Sequence, residues 1–347
     1  MLETIHKKKI FNPDGDDSVI NRKIIKGNTT NLFNLNETRY TWAKNLYRVM
    51  LANFWIPEKV DLSQDKIDYK NLEKAELKAF EGILSFLTFL DSIQTNNIPR
   101  IAEYVTAPEV TTLLAIQEYQ EVIHSQSYAY ILESIIPSER RKNVYELWRS
   151  DSVLFERNKY IADTYQSFIE KPTDENFAKV LVANYILESL YFYNGFIFFY
   201  NLASRNIMQG TSDEIRYINR DELTHIRIFQ NIITTVNQEN EGFIKEEMVH
   251  ELFDFATKQE IGWTNHIIGN NVTGMNEKTT EQYTKYLANQ RIVSLGFSEL
   301  YPGFDKNPYV HFERMSDGNG DNLKSNFFES TVTNYSQYNA ISGWDEI

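Results

Sequence analysis

The chain has 347 residues, a formal net charge of −13 and no cysteine. Without thiols it cannot form disulfides, iron–sulfur clusters, thiolate zinc sites or a cysteine nucleophile, so any metal must be held by carboxylates and imidazoles. The excess of 48 acidic over 35 basic side chains argues against nonspecific binding to nucleic acid or to an anionic membrane.

The low content of glycine (14) and proline (8) favours long helices over strands and turns. Residues 1–38 are polar and irregular, and residues 301–347 form a predicted C-terminal tail. Between them, residues 39–300 are expected to form one helical body. Its helices are predicted, in chain order, at residues 41–54, 71–97, 108–136, 152–170, 173–207, 211–237, 242–270 and 276–295.

Two of these helices carry local signals. The fifth, over residues 173–207, is apolar all round, which predicts a central helix. The sixth has Thr211, Ser212 and Asp213 as candidate N-terminal caps.

No segment has the pattern of an export signal or a membrane span. The lysines at positions 7–9 are not followed by an apolar stretch. The most apolar run, residues 186–200, contains Glu188 and Asn194 and is shorter than the roughly 20 residues that cross a bilayer. We therefore expect a cytoplasmic protein with neither a membrane nor a nucleic acid as partner.

The tail has a distinct composition from residue 316 onward. Residues 316–322 are Ser, Asp, Gly and Asn, a composition typical of a flexible linker. Two interpretations fit the segment after this linker: a loosely packed terminus, or a docking peptide that becomes ordered on a partner. The aromatic residues of this segment are Phe327, Phe328, Tyr335, Tyr338 and Trp344.

The pattern Glu-x-x-His occurs on two predicted helices, as Glu121 with His124 and as Glu222 with His225. At a spacing of three residues the two side chains share one helix face and can converge on one ion. A pattern with two fixed residues often arises by chance, so neither copy alone indicates a metal site.

A third copy, Glu247 with His250, illustrates this chance occurrence. Its helix has an apolar stripe elsewhere, which leaves these two side chains on a face expected to be solvated. We therefore interpret this copy as a chance match with no metal-binding role. The stripe consists of Ile244, Met248, Leu252 and Phe255.

Two isolated acids, Asp91 and Glu188, lie within strongly apolar helical runs. A buried acid is costly unless it is hydrogen-bonded or bound to metal, and either reading fits each one alone. Together with two Glu-x-x-His helices they complete the dinuclear template of four-helix bundles. Four carboxylates would balance two divalent ions, and such oxygen-rich ligands suit iron or manganese.

Tyr128 lies four residues after His124, on the same predicted helix face. A phenol beside an oxygen-activating metal pair can lose an electron and a proton. Apolar neighbours would protect a phenoxyl radical, and we expect them to be Phe192, Phe196 and Ile218. Tyr128 is also one of 21 tyrosines, so ordinary core packing remains the alternative.

In combination these residues resemble the small, radical-generating subunit of class I ribonucleotide reductase. The motifs occur in the family's order and cover roughly residues 40–300, and the segment from Asn326 to Tyr335 resembles the family's C-terminal end. The motifs are Asn53-Phe54-Trp55-Ile56-Pro57-Glu58, Leu90-Asp91-Ser92-Ile93-Gln94, Glu121-Val122-Ile123-His124-Ser125-Gln126-Ser127-Tyr128, Leu187-Glu188-Ser189-Leu190-Tyr191-Phe192-Tyr193 and Arg220-Asp221-Glu222-Leu223-Thr224-His225.

The resemblance implies a ferritin-like helical bundle that forms a homodimer. It implies that Tyr128 holds the radical, that Trp55 and Asp221 relay it together with His124, and that Tyr335, or its neighbour Tyr338, passes it on from the tail. The implied metal ligands are Asp91, Glu121, His124, Glu188, Glu222 and His225.

The resemblance also implies an activity, ribonucleoside-diphosphate reductase, which makes deoxyribonucleotides for DNA synthesis. The small subunit would act only with the large subunit, which binds the C-terminal tail and supplies the cysteines that nucleotide reduction needs. Two metal ions would be activated by O₂ or a reduced oxygen species. Iron is the first expectation, while manganese with iron, or manganese alone, stays open.

Two other functions use the same ligands: a ferritin-like oxidase or monooxygenase for a small organic substrate, and an iron-storage bundle. An oxidase needs neither Trp55 nor an aromatic docking tail. Storage bundles are much shorter, and they do not need Tyr128 in an apolar pocket. The radical-generating subunit is therefore the favoured interpretation.

Overall fold

The computed structural model describes residues 4–313. Within that range the regular structure is helical, and the only β pairing consists of two isolated bridges, Thr4 with Thr173 and Ile25 with Val105. The predicted all-α class is confirmed. The α-helices are α1 (Thr41–Ala52), α2 (Asp65–Asn71), α3 (Lys74–Ala102), α4 (Pro108–Ile135), α5 (Ser138–Ser150), α6 (Ser152–Glu170), α7 (Asp174–Ile186), α8 (Tyr193–Ser204), α9 (Gln209–Glu239), α10 (Glu246–Ile267), α11 (Glu277–Ser294) and α12 (Val310–Glu313).

The segment predicted as one central helix lies in the interior as expected, and every residue from 180 to 200 is buried. It is not one regular helix, however. A π-helical turn at Leu187–Tyr191 separates α7 from α8. A π turn accommodates an extra residue and is often found at functional sites. Apolar periodicity cannot reveal it, because all faces of this segment are apolar.

Two buried arginines bind the carbonyl groups of this π turn. Arg157 of α6 donates from Nη2 to the Tyr191 carbonyl at 2.7 Å, and Arg291 of α11 donates from Nε to the Ser189 carbonyl at 3.1 Å. Both side chains are almost completely buried. They supply partners for carbonyls whose helical pairing is altered by the wider turn.

Three short helices, α2, α5 and α12, were not predicted. The α5 segment is rich in charged residues and buries only Val144, so it has no apolar stripe to indicate a helix. The prediction for the start of α9 was also wrong. The helix begins at Gln209, and the Asp65 carboxylate of α2 accepts hydrogen bonds from the backbone N–H groups of Gly210 (3.1 Å) and Thr211 (2.5 Å). A cap supplied from a distant helix leaves no local pattern.

The segments on either side of the helical body lie against it. In the N-terminal segment, Ile24 and Ile25 are fully buried, and Arg22 forms a buried ion pair with Glu109 at 3.0 Å. After α11, Tyr309 packs edge-on against Tyr283 with ring centroids 5.2 Å apart. Among the described residues, no helix is both long and apolar enough to cross a membrane.

Beneath the π turn, Arg157 also pairs with Glu260 of α10, with Nη2 and Oε2 2.6 Å apart and both side chains buried. Removing one member of such a pair leaves an uncompensated buried charge. We expect Glu260→Ala to lower the free energy of unfolding by about 3–5 kcal/mol, measured by urea denaturation.

The matched control is Asp163→Ala, which removes the exposed pair of Asp163 with Lys159 on the same helix as Arg157. Exposed pairs contribute at most about 1 kcal/mol, so this variant should unfold close to the wild type. Equal losses in the two variants would contradict the assigned role of the buried pair.

Candidate metal centre

The structure brings all six predicted ligands to one place in the interior. They come from four segments: α3, α4, the π turn and α9. All six side chains are fully buried. The residues are Asp91 on α3, Glu121 and His124 on α4, Glu188 in the π turn, and Glu222 and His225 on α9.

The six residues form two overlapping groups, each with potential ligand atoms within 4.8 Å of one another. Glu121 and Glu222 belong to both groups. Asp91 and His124 complete the first group, and Glu188 and His225 complete the second; a carboxylate in both groups can bridge two ions. The arrangement therefore offers each ion one imidazole and three carboxylates.

In the first group the His124 imidazole directs Nδ1 toward the carboxylates. This nitrogen lies 3.1 Å from Glu222 Oε1, 3.5 Å from Glu121 Oε2 and 3.7 Å from Asp91 Oδ2. The i, i+3 spacing of Glu121 and His124 on α4 places both on one helix face. The Glu-x-x-His prediction for this helix therefore has the expected geometry.

The second group mirrors the first. His225 Nδ1 lies 3.2 Å from both Glu121 Oε1 and Glu222 Oε2, and 3.5 Å from Glu188 Oε2. The two imidazole ring centroids are 5.8 Å apart. Because both imidazoles present the same nitrogen to the shared carboxylates, two ions could bind side by side.

Many of these buried polar atoms lack a hydrogen-bond partner in the protein. They include both carboxylate oxygens of Asp91 and of Glu121, Oε2 of Glu188, Oε1 of Glu222 and both ring nitrogens of His124. Unsatisfied buried polar atoms are rare and costly, and here they converge on one centre. The oxygen-rich donor set fits two divalent cations of the iron or manganese type.

The pKa shifts within the cluster reflect the same excess of negative charge. Burial raises the pKa of Asp91 well above its usual value, and the Glu121 charge raises it further. Burial also raises the pKa of Glu188, whereas hydrogen bonding with Glu188 and the charge of His225 lower that of Glu222 against the effect of burial. Neighbouring carboxylates raise the pKa of both imidazoles despite their burial. These pKa shifts are the ones expected of carboxylates crowded together without cations to neutralise them.

Buried amides hold Glu188 in place. Its Oε1 accepts hydrogen bonds from Gln117 Nε2 at 2.8 Å, from Gln94 Nε2 and from Asn184 Nδ2 at 3.5 Å. With Oε1 occupied, Oε2 remains directed at His225. Groups that orient a ligand in this way also tune the metal it binds.

The side-chain amide of Gln120 binds the imidazole of His225. Gln120 Oε1 lies 3.0 Å from His225 Nε2, and an amide oxygen can only accept, so Nε2 carries the proton and Nδ1 is left to face the carboxylates. Sequence reasoning missed these amides. Helical spacing offered a signal, since Gln94 lies three residues after Asp91 and Gln117 four before Glu121.

A chain of polar contacts leads from the centre to the surface. His124 Nε2 lies 3.5 Å from Asp221 Oδ2, and the same oxygen accepts a hydrogen bond from Trp55 Nε1 at 2.9 Å. The other Asp221 oxygen accepts from Arg220 at 3.2 Å. Asp221 is fully buried and Trp55 is half-buried. The three predicted relay residues are thus in contact in the expected order.

Tyr128 is fully buried, and its hydroxyl has no hydrogen-bond partner in the protein. Burial raises the pKa of Tyr128 well above its usual value, and the nearby charge of Asp91 raises it further. The three predicted pocket residues, Phe192, Phe196 and Ile218, are also buried in the same core. Tyr128 is therefore a buried phenol beside the carboxylate cluster.

Two other predicted features lie apart from this centre. Glu247 is exposed, and His250 Nε2 lies 2.9 Å from the Ser298 carbonyl oxygen, so the third Glu-x-x-His copy does not join the cluster. Tyr335, like every residue of the predicted tail after position 313, lies outside the described residues.

The fold and sequence are similar to those of known proteins. The family description "Ribonucleotide reductase, small chain" matches residues 32–308. A ribonucleoside-diphosphate reductase subunit beta from Treponema pallidum is 41% identical over 340 residues, covering 97% of each chain. The ribonucleotide reductase R2 subunit structure from Clostridium botulinum is 44% identical, with a TM-score of 0.87 over 90% of this chain and 99% of that one. A structure from Bacillus halodurans titled a putative class I ribonucleotide reductase is 38% identical, with a TM-score of 0.83 over 89% of this chain and 99% of that one. The predicted ferritin-like bundle of this type is confirmed.

The geometry predicts which Glu-x-x-His copies bind metal. We expect wild-type protein to bind two Mn²⁺ ions per chain, one for each ligand group. His225→Gln should lose at least one of them, because it removes the imidazole of the second group. His250→Gln, in the exposed copy, should bind as the wild type does.

The bound manganese is measured by elemental analysis after gel filtration, with thermal unfolding of the metal-free proteins as a check on folding. Equal manganese content in the two variants would contradict the assignment of His225.

Proposed function

The chain belongs to the small-chain family of ribonucleotide reductase, and we propose that it generates and exports the radical of that enzyme. In this proposal Asp91, Glu121, His124, Glu188, Glu222 and His225 hold two metal ions. When bound, iron or manganese ions would use O₂ or a reduced oxygen species to supply the oxidising power for Tyr128. Iron is the first candidate.

The observation that carries this proposal is the convergence of unsatisfied buried ligand atoms beside a buried tyrosine. Tyr128 is fully buried, so its phenol is shielded from water and from reductants in solution. Among the neighbouring charges, that of Asp91 raises the pKa of this phenol most, which indicates that Tyr128 lies beside the proposed ligands.

Export of the oxidising equivalent would use the contacts from His124 through Asp221 to Trp55. The Asp221 carboxylate accepts the indole N–H and faces His124, so it can hold both groups in one orientation. Arg220 neutralises its other oxygen. We further propose that the chain works as a homodimer and that its tail, through Tyr335, passes the equivalent to the large subunit.

The absence of cysteine supports a chain that generates the radical but does not reduce the nucleotide, because the reducing thiols must then come from the large subunit. Similarity to a reductase beta subunit over 97% of the chain favours this function over a ferritin-like oxidase of small organic substrates.

Tyr128→Phe tests the radical assignment, since it removes the oxidisable hydroxyl and keeps the ring. We expect the variant to bind the same metals, to show no tyrosyl radical in electron paramagnetic resonance, and to lose turnover with the large subunit. The matched control is Tyr185→Phe, at another fully buried tyrosine, whose hydroxyl lies 2.8 Å from Ser294 Oγ and not beside the cluster. This variant should keep the radical signal and turnover. A wild-type radical signal in Tyr128→Phe would refute the assignment.

Deleting residues 326–347 tests the tail. We expect the truncated protein to keep its metals and its Tyr128 radical, because the ligands all lie in the described helical body. Its affinity for the large subunit, measured by surface plasmon resonance, should be lost together with turnover. Affinity equal to that of the full chain would rule out the tail as the docking element.

A further inference from the structure

The two Glu-x-x-His helices share one more feature, the residue directly before each Glu. It is Gln120 on α4 and Asp221 on α9, and both side chains are buried. Each of them faces the imidazole of the other helix. Gln120 Oε1 lies 3.0 Å from His225 Nε2, and Asp221 Oδ2 lies 3.5 Å from His124 Nε2. The contacts between the two helices are therefore nearly symmetric at the cluster.

The two residues in these symmetric positions differ in chemistry. Asp221 presents a carboxylate, which also accepts a hydrogen bond from Arg220, whereas Gln120 presents a neutral amide oxygen. A carboxylate draws the imidazole proton more strongly than an amide does, and this makes the nitrogen that faces the ion more basic. His124 is therefore the stronger metal donor of the two imidazoles, and His225 the weaker.

The two carboxylates that belong to only one ligand group differ in the same direction. Both oxygens of Asp91 lack a hydrogen-bond partner in the protein. In contrast, Oε1 of Glu188 accepts hydrogen bonds from Gln94 Nε2 and, at 2.8 Å, from Gln117 Nε2. These amides draw charge from the Glu188 carboxylate and occupy one of its oxygens. The second ligand group thus offers weaker donors than the first.

Resting on the proposed function, we propose that Gln120 is a positioning residue that makes the two ion sites unequal. Its amide directs Nδ1 of His225 toward the ion but leaves this imidazole less basic than a carboxylate would. The first group, which contains His124, then binds the first ion and holds it more tightly. The second group binds the second ion and releases it more readily. Exchange at the second site alone would allow a mixed pair of metals to form.

The inequality is tested by titrating the metal-free wild-type protein with Mn²⁺. The free ion is measured by electron paramagnetic resonance in solution, where aqueous Mn²⁺ has a strong signal and the bound ion a weak one. We expect two ions per chain, with dissociation constants that differ roughly tenfold or more. Two equal dissociation constants would overturn the proposal.

Two substitutions exchange the chemistry of the symmetric positions. Gln120→Glu should tighten the weaker of the two dissociation constants roughly tenfold, a gain that a residue with only a packing role would not give. Asp221→Asn should weaken the tighter constant, which assigns that constant to the first group. An unchanged or weaker second constant in Gln120→Glu contradicts the proposal, and so does an unchanged tighter constant in Asp221→Asn.

The matched control is Gln126→Glu, which makes the same change of charge on the same helix. Gln126 is exposed, and its Nε2 donates to Glu58 at 2.6 Å and not to an imidazole. Both dissociation constants should match the wild type, and thermal unfolding of each metal-free variant checks its folding. If Gln126→Glu tightens the weaker constant as much as Gln120→Glu does, net charge and not the contact with His225 is responsible.

These outcomes separate the inference from the proposed function. A wild-type protein that binds no metal pair contradicts the proposed function, and this inference falls with it. A wild-type protein with a metal pair and a tyrosyl radical, but with equal dissociation constants or no response to Gln120→Glu, contradicts this inference alone.

Discussion

The constraint on which this structure depends is the burial of four carboxylates in one place. Asp91, Glu121, Glu188 and Glu222 are all inaccessible to water, and only two imidazoles lie among them. Like charges this close in a protein interior raise each other's pKa values or require cations. Two divalent ions would neutralise the carboxylates and also bind the ligand atoms that lack hydrogen-bond partners. The surrounding helices hold these ligands in place.

The helix that carries Glu188 is distorted at this residue. A π turn in the central segment brings this carboxylate to the cluster, and Arg157 and Arg291 bind the carbonyls that the turn exposes. Buried amides then occupy Oε1 of Glu188, so that Oε2 points at the centre. Backbone distortion, buried cations and amides thus act on one ligand. Hydrogen bonds also orient a residue nearer the surface. Asp221, itself bonded to Arg220, accepts the indole N–H of Trp55, whose ring stacks on Tyr217.

Sequence reasoning succeeded where the physics is local. Glu121 with His124, and Glu222 with His225, lie on one helix face because of their spacing, and the isolated acids in apolar runs identified Asp91 and Glu188. It failed where the cause lies far along the chain. Asp65 caps α9 from another helix, and the stacking of Tyr217 on Trp55 joins residues 162 positions apart, from 217 to 55. The π turn was hidden because its surroundings are uniformly apolar. The roles of the ligands and of Tyr128 remain predictions.

The most direct measurement of the central claim is low-temperature electron paramagnetic resonance, with elemental analysis, on protein isolated from its own host. The account predicts two iron or manganese ions per chain, or one of each, together with a tyrosyl radical. A folded protein with no bound transition metal, or with a full metal pair and no tyrosyl radical, would contradict it.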